Sequence, residues 1–162
     1  MSEHEKKYHR KVIAEEQLKT AIILFLNNKD SSSVITLASA AGTILSQLVR
    51  NSGQEPFIDY ACNVHNGLMG FTPKRESYNH YIDKEFGVTV HKHMSDKCSE
   101  TVELDLHECA VNSLTRAVAD YTTLYGQEED FIKAFLQWAW INNDGHKIME
   151  QFKNMPEKLK KK

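Results

Sequence analysis

Little in these 162 residues departs from the composition of an ordinary globular protein. Three Pro and seven Gly are too few for a collagen-like or long disordered chain. Three cysteines, Cys62, Cys98 and Cys109, are an odd number without CxxC spacing, which speaks against a disulfide framework and against a zinc ribbon. Net charge is small as well. Lys and Arg total 20 against 22 Asp and Glu, so the large basic excess of a protein built to coat nucleic acid or membrane is missing. No apolar run reaches the roughly 18 residues that span a bilayer, and none follows the charged start MSEHEKKYHRK. Neither a membrane span nor a secretory signal is therefore expected, and a reducing cytoplasm suits the cysteine usage.

What is present is helical periodicity. The length fits one domain, expected over residues 1–157, with the basic residues 158–162 as a disordered tail. Leu18, Ala21, Ile22 and Phe25 recur at i, i+3, i+4 and i+7, which predicts a helix over about residues 5 to 28. Ser31 or Ser32 can cap a second helix carrying Val34, Leu37, Ala38, Ala41, Leu45 and Leu48, stopped by Asn51-Ser52-Gly53. Its run of small residues, Ala38 to Gly42, predicts a close crossing with a neighbouring helix. Pro56 suits the first turn of a third helix, and Thr72-Pro73 suits the start of a fourth. Beyond Gly87, the β-branched run Val88-Thr89-Val90 is compatible with a kink, a break or a short extended piece. Residues 94 to 104 read as a polar loop. Asp105 and Glu108 have the spacing of a capping box for a fifth helix that ends at Gly126. A sixth, aromatic helix carries Phe131, Phe135, Trp138 and Ile141, and a short one is expected from His146 to about Met155. The fold class is all-α, an antiparallel bundle of four main helices with one or two short ones.

Eight histidines are the unusual feature. Glu5 with His9, Glu76 with His80 and Glu103 with His107 stand at i, i+4, a spacing that pairs surface charges or builds metal sites in helical bundles. Surface pairing is the simpler reading, and no metal or other cofactor is expected. His91-Lys92-His93 is the densest cluster and can face an anion or a nucleobase; two exposed histidines beside a loop are the alternative. Arg75 and His80, at the start of the fourth helix, make a chemically sensible pair for metal-independent RNA cleavage. The arginine would hold the scissile phosphate and the histidine would move a proton. Cys62 and Cys109 lie on or beside apolar stripes and read as core thiols. Trp138 and Trp140 read as core or dimer surface, with nucleobase stacking the alternative. The basic residues Lys6, Lys7, Arg10 and Lys11 read either as phosphate contacts or as a solvated terminus.

Two segments carry a family resemblance. Gln17-Leu18-Lys19-Thr20-Ala21, a short Asn-Asp turn and the stretch from Ser33 to Leu45 (SVITLASAAGTIL) resemble the opening helices of a family of small microbial all-helical proteins. A second family segment, similar to NFLKHAD, corresponds to Thr89–Asp96, matching at Lys92 and His93, with Thr89 in place of Asn and one residue inserted before Asp96. The family is HEPN-like in helical order. The resemblance implies a helical binding or regulatory module, often homodimeric, that recognises a nucleotide or RNA near its fourth helix. It also admits a ribonuclease, although HEPN ribonucleases carry Asn, Asp or His after the arginine, where this chain has Glu76.

Overall fold

The computed structural model describes residues 5–70, 74–143, 150, 153–154 and 156–157. Among these the chain is all-α and has no strand. Its helices are α1 (Arg10–Leu26), α2 (Ser31–Asn51), α3 (Phe57–Met69), α4 (Arg75–Glu85), α5 (Val88–Lys92), α6 (Leu106–Tyr125) and α7 (Asp130–Asn142). The expected Thr72-Pro73 cap and the tail 158–162 lie outside the described residues, as does most of the expected helix over 146–155.

Local chemistry sets the helix ends. α1 begins at Arg10, not near residue 5, because His9 Nδ1 accepts the Lys11 N–H at 3.0 Å and closes the first turn there. Residues 5–9 are exposed, so no packing repays the cost of extending the helix back through them. Asp30, not Ser31 or Ser32, caps α2. It accepts the Ser33 N–H at 3.4 Å and also the Ser33 hydroxyl, and a carboxylate meets the positive end of the helix dipole better than a hydroxyl does. The Ser33 hydroxyl, with its backbone N–H, holds the Asp30 carboxyl below its ordinary pKa. Asp105 caps α6 as its spacing predicts, accepting the Glu108 N–H at 2.9 Å.

The β-branched run after α4 is helical. Gly87 takes φ +69°, turns the chain and allows Val88 to be buried at the start of α5. A Cβ at Gly87 would also stand 3.1 Å from Cys109 Sγ, so both the backbone angle and the close approach call for glycine here.

The main core draws on α1, α2, α6 and α7, with Leu18, Ile22, Ile35, Leu45, Leu114, Tyr121 and Phe135 at its centre. Trp138 joins it edge-on to Phe25, with ring centroids 4.6 Å apart, whereas Trp140 is half exposed. The Tyr121 hydroxyl donates to Glu15 Oε2 at 2.7 Å, and burial reinforced by that carboxylate pushes the phenol well above its ordinary pKa. α2 has an 18-residue window of mean hydropathy 1.4, enough by length and composition to cross a bilayer. Here half of that window is buried inside the fold. α3 and α4 pack a smaller cluster of their own, Ile58, Cys62, Tyr78 and Ile82.

The small-residue run of α2 lies against α6, and a Cβ placed on Gly42 would sit 3.7 Å from the Ala117 Cβ. That is ordinary contact distance. Gly42→Ala is therefore expected to raise stability by about 0.5–1 kcal/mol by removing the glycine penalty in a helix. Gly42→Leu is expected to lower it by about 1–3 kcal/mol by overpacking the crossing. Urea unfolding of the two variants reads both signs.

Candidate functional site

On α6 the row Ser113, Ala117, Asp120 and Tyr121 places a carboxylate in core register. Asp120 is 0% exposed. Its Oδ2 accepts the Ser46 hydroxyl at 2.6 Å, and its Oδ1 accepts the Phe57 backbone N–H at 2.7 Å. Pro56 stands at the N-cap of α3 without a side-chain acceptor, so Asp120 caps that helix from a different one. Ser46 in turn forms part of the wall of a cavity.

This cavity, about 540 Å³, lies between the start of α1, the second half of α2, α4 and α6. Arg10, Arg50 and Arg116 line it together with Asn79 and Asp83. An adjoining recess of about 500 Å³ shares Arg10 and adds Lys7. Arg116 Nη1 meets Asp83 Oδ1 at 3.2 Å, with the arginine side chain 12% exposed. Arg50 Nη2 meets Asp59 Oδ1 at 3.2 Å. Each of these contacts occupies one of the five N–H donors of a guanidinium. Arg116 Nε is buried without a hydrogen-bond acceptor, and Asn79 Oδ1 is buried without a donor. An unmet buried group of this kind costs about 1–3 kcal/mol. Three carboxylates stand around these three arginines: Asp83 in the lining, Asp59 against Arg50, and Asp120 behind Ser46.

The residues singled out in the sequence fall elsewhere or at the edge. His80 is exposed on α4, directly after Asn79. Arg75 opens α4 one turn before Asn79, and its side chain lies outside the described residues. His91 bridges two elements: Nδ1 is 2.7 Å from the Gly87 carbonyl and Nε2 is 3.1 Å from the Ser32 hydroxyl. Both of its ring nitrogens are thus engaged. Lys92 and His93 are exposed at the end of α5. Ser32 and Arg50 are 18 residues apart on α2, so at 1.5 Å per residue the His91 corner lies about 27 Å along that helix from Arg50.

Of the Glu-His pairs, Glu76 and His80 share α4, with the Glu76 side chain outside the described residues, and the members of the others fall at different places. His9 caps α1, Glu103 lies before α6, and His107 stacks on Phe25 with ring centroids 5.5 Å apart. Among the described residues no three His, Cys, Asp or Glu side chains are grouped to hold a metal ion. Cys62 and Cys109 are buried free thiols and Cys98 is an exposed one. Burial pushes the Cys109 thiol up, while the Ser95 hydroxyl lowers Cys98.

Sequence reading does not bring the three arginines together. Arg10 belongs to the basic start of the chain and Arg50 to the last turn of α2, and nothing in the pattern links either to Arg116. The available signal was Asp120, an acid in an apolar row, which marks a buried polar junction next to the cavity. No family model, curated protein or solved structure matches the chain.

Proposed function

We propose that this protein is a cytoplasmic, HEPN-like helical binding module that recognises a phosphate-bearing ligand, a nucleotide or RNA, in the cavity framed by α1, α2, α4 and α6. The observation that carries this reading is the convergence of Arg10, Arg50 and Arg116 on one cavity, with the Arg116 Nε donor buried and unmet. Guanidinium forks match phosphate oxygens in geometry, and they gain most where water is excluded. The amide of Asn79 gives the same wall a means of hydrogen bonding to a sugar or base. A second copy of the chain is the proposed partner, and Trp140 and Ile141 on α7 offer it exposed apolar surface. Three free thiols agree with a reducing compartment.

Calorimetric titration with nucleoside monophosphates and short RNAs in EDTA tests the reading. Saturable binding that weakens with added salt, accompanied by a rise in melting temperature, is the expected result. Absence of both heat and stabilisation across these ligands overturns it. A second reading, metal-independent RNA cleavage by Arg75 and His80, draws support from the position of His80 beside Asn79. RNA recovered intact from the same EDTA mixtures excludes that reading.

A further inference from the structure

The basic start of the chain lies beside the arginine cavity. His9 accepts the Lys11 N–H with Nδ1 at 3.0 Å and the Val12 N–H with its carbonyl at 3.0 Å, which fixes how the chain enters α1. Residues 7 to 10 line the recess of about 500 Å³ together with Leu48 of α2. Arg10 and Leu48 line the cavity as well, so the two spaces adjoin. Each has the size of a small-molecule site. Their charge differs. Asp83 lines the cavity, whereas among the described residues the recess is lined by two cations, Lys7 and Arg10, and by no carboxylate. Tyr8, 62% exposed, is the aromatic residue of the recess. The Lys11 amide at the helix start is already taken by His9, so what the recess offers a ligand is side chains.

We propose that the recess is a second nucleotide subsite, so that the chain binds a single-stranded oligonucleotide across both spaces in preference to a free nucleotide. The inference rests on the anion-site reading above and extends that site. A strand that continues from the cavity into the recess passes Arg10, which lines both. Lys7 then meets backbone charge where no acid of the lining opposes it, and a base stacks on Tyr8 beside Leu48. Stacking accepts any base because each has a π face, and a cationic track with an aromatic platform holds single strands without base-specific hydrogen bonds. A duplex does not suit this arrangement, since its bases are already stacked on one another and only unstacked bases reach an aromatic side chain. His9 adds a donor. Its Nδ1 is the cap acceptor, so the proton of the neutral ring is on Nε2 and is available to a phosphate or base oxygen.

Calorimetric titration of the full chain with adenosine 5′-monophosphate and with the 5′-phosphorylated adenosine dinucleotide, in EDTA at constant ionic strength, separates the two subsites. The wild-type chain is expected to bind the dinucleotide about 10-fold or more tightly than the monophosphate. In Tyr8→Ala this ratio should fall by about fivefold or more, and Tyr8→Phe, which keeps the ring, should preserve it. Tyr8 is exposed ahead of α1, so neither substitution touches the core. Lys7→Gln should reduce the salt slope of dinucleotide binding by about 0.7, the share of one single-strand phosphate contact. A monophosphate bound as tightly as the dinucleotide by the wild-type chain, or a ratio that survives Tyr8→Ala, overturns the second subsite while the anion site stands. An equal loss in Tyr8→Phe and Tyr8→Ala removes stacking and overturns it too. If neither ligand binds, both readings fall.

Discussion

Replacing Asp120 by alanine is expected to lower folding stability by about 3 kcal/mol, the largest effect of any single polar substitution among the described residues. The carboxylate is fully enclosed and accepts two hydrogen bonds, from Ser46 at 2.6 Å and from the Phe57 N–H at 2.7 Å. Hydrogen bonds to a charged group are worth about 1.5–3 kcal/mol each. Asp120→Asn keeps the shape, and with its oxygen on the Phe57 N–H its amide can donate to the Ser46 hydroxyl, but both bonds lose their charge assistance, so an intermediate loss is expected. Ser46→Ala, which removes one partner and leaves the α3 cap intact, should cost only about 1 kcal/mol. Urea unfolding midpoints measure all three. A ranking with Ser46→Ala as damaging as Asp120→Ala would show that the Phe57 cap contributes nothing.

Arg116→Met is expected to weaken binding of a phosphate-bearing ligand roughly 10- to 100-fold while leaving the fold intact. The range corresponds to about 1.4–2.7 kcal/mol, the worth of one charge-assisted hydrogen bond in a largely enclosed site. Methionine keeps the apolar stem of the arginine against its neighbours. The carboxylate it orphans, Asp83, is 42% exposed and can turn to water, so stability should change little. Lysine at this position retains the charge without the fork and should fall between the two. Calorimetric titration of wild type and both variants with adenosine 5′-monophosphate gives the order. Equal affinities across the three would remove Arg116 from the site.

Much of the fold is legible in the sequence because it is written locally. The Asp105–Glu108 spacing, the stop at Gly126 and the stripe of α2 all lie within a few turns of the structure they specify. Where local pattern misleads, burial or capping decides. The β-branched residues after Gly87 form a helix because the left-handed glycine turns the chain and Val88 gains a buried place. Residues 5–9 stay out of α1 because the His9 cap ends the helix there and nothing covers them.

The cavity is legible only in fragments. Arg10, Arg50, Asn79 and Arg116 come from four helices, and no spacing rule relates residues on helices whose mutual packing is not yet known. The Arg75–His80 reading falls on α4, whose cavity-lining residues are Asn79, between the two, and Asp83. The histidine cluster draws attention by composition, yet His91 joins α5 to the start of α2.

The most direct test of the anion site is to watch the arginine Nε–H groups themselves. The chain has four arginines, so a nitrogen-15 side-chain spectrum carries at most four Nε–H signals, and Arg116→Lys assigns the decisive one by its loss. On titration with adenosine 5′-monophosphate, the Arg116 Nε–H signal should move saturably as the buried donor gains an acceptor, while the backbone signals of Lys92 and His93 hold still. A stationary Arg116 signal, with shifts confined to Lys92 and His93, would place phosphate recognition at the far end of α2 and contradict the account.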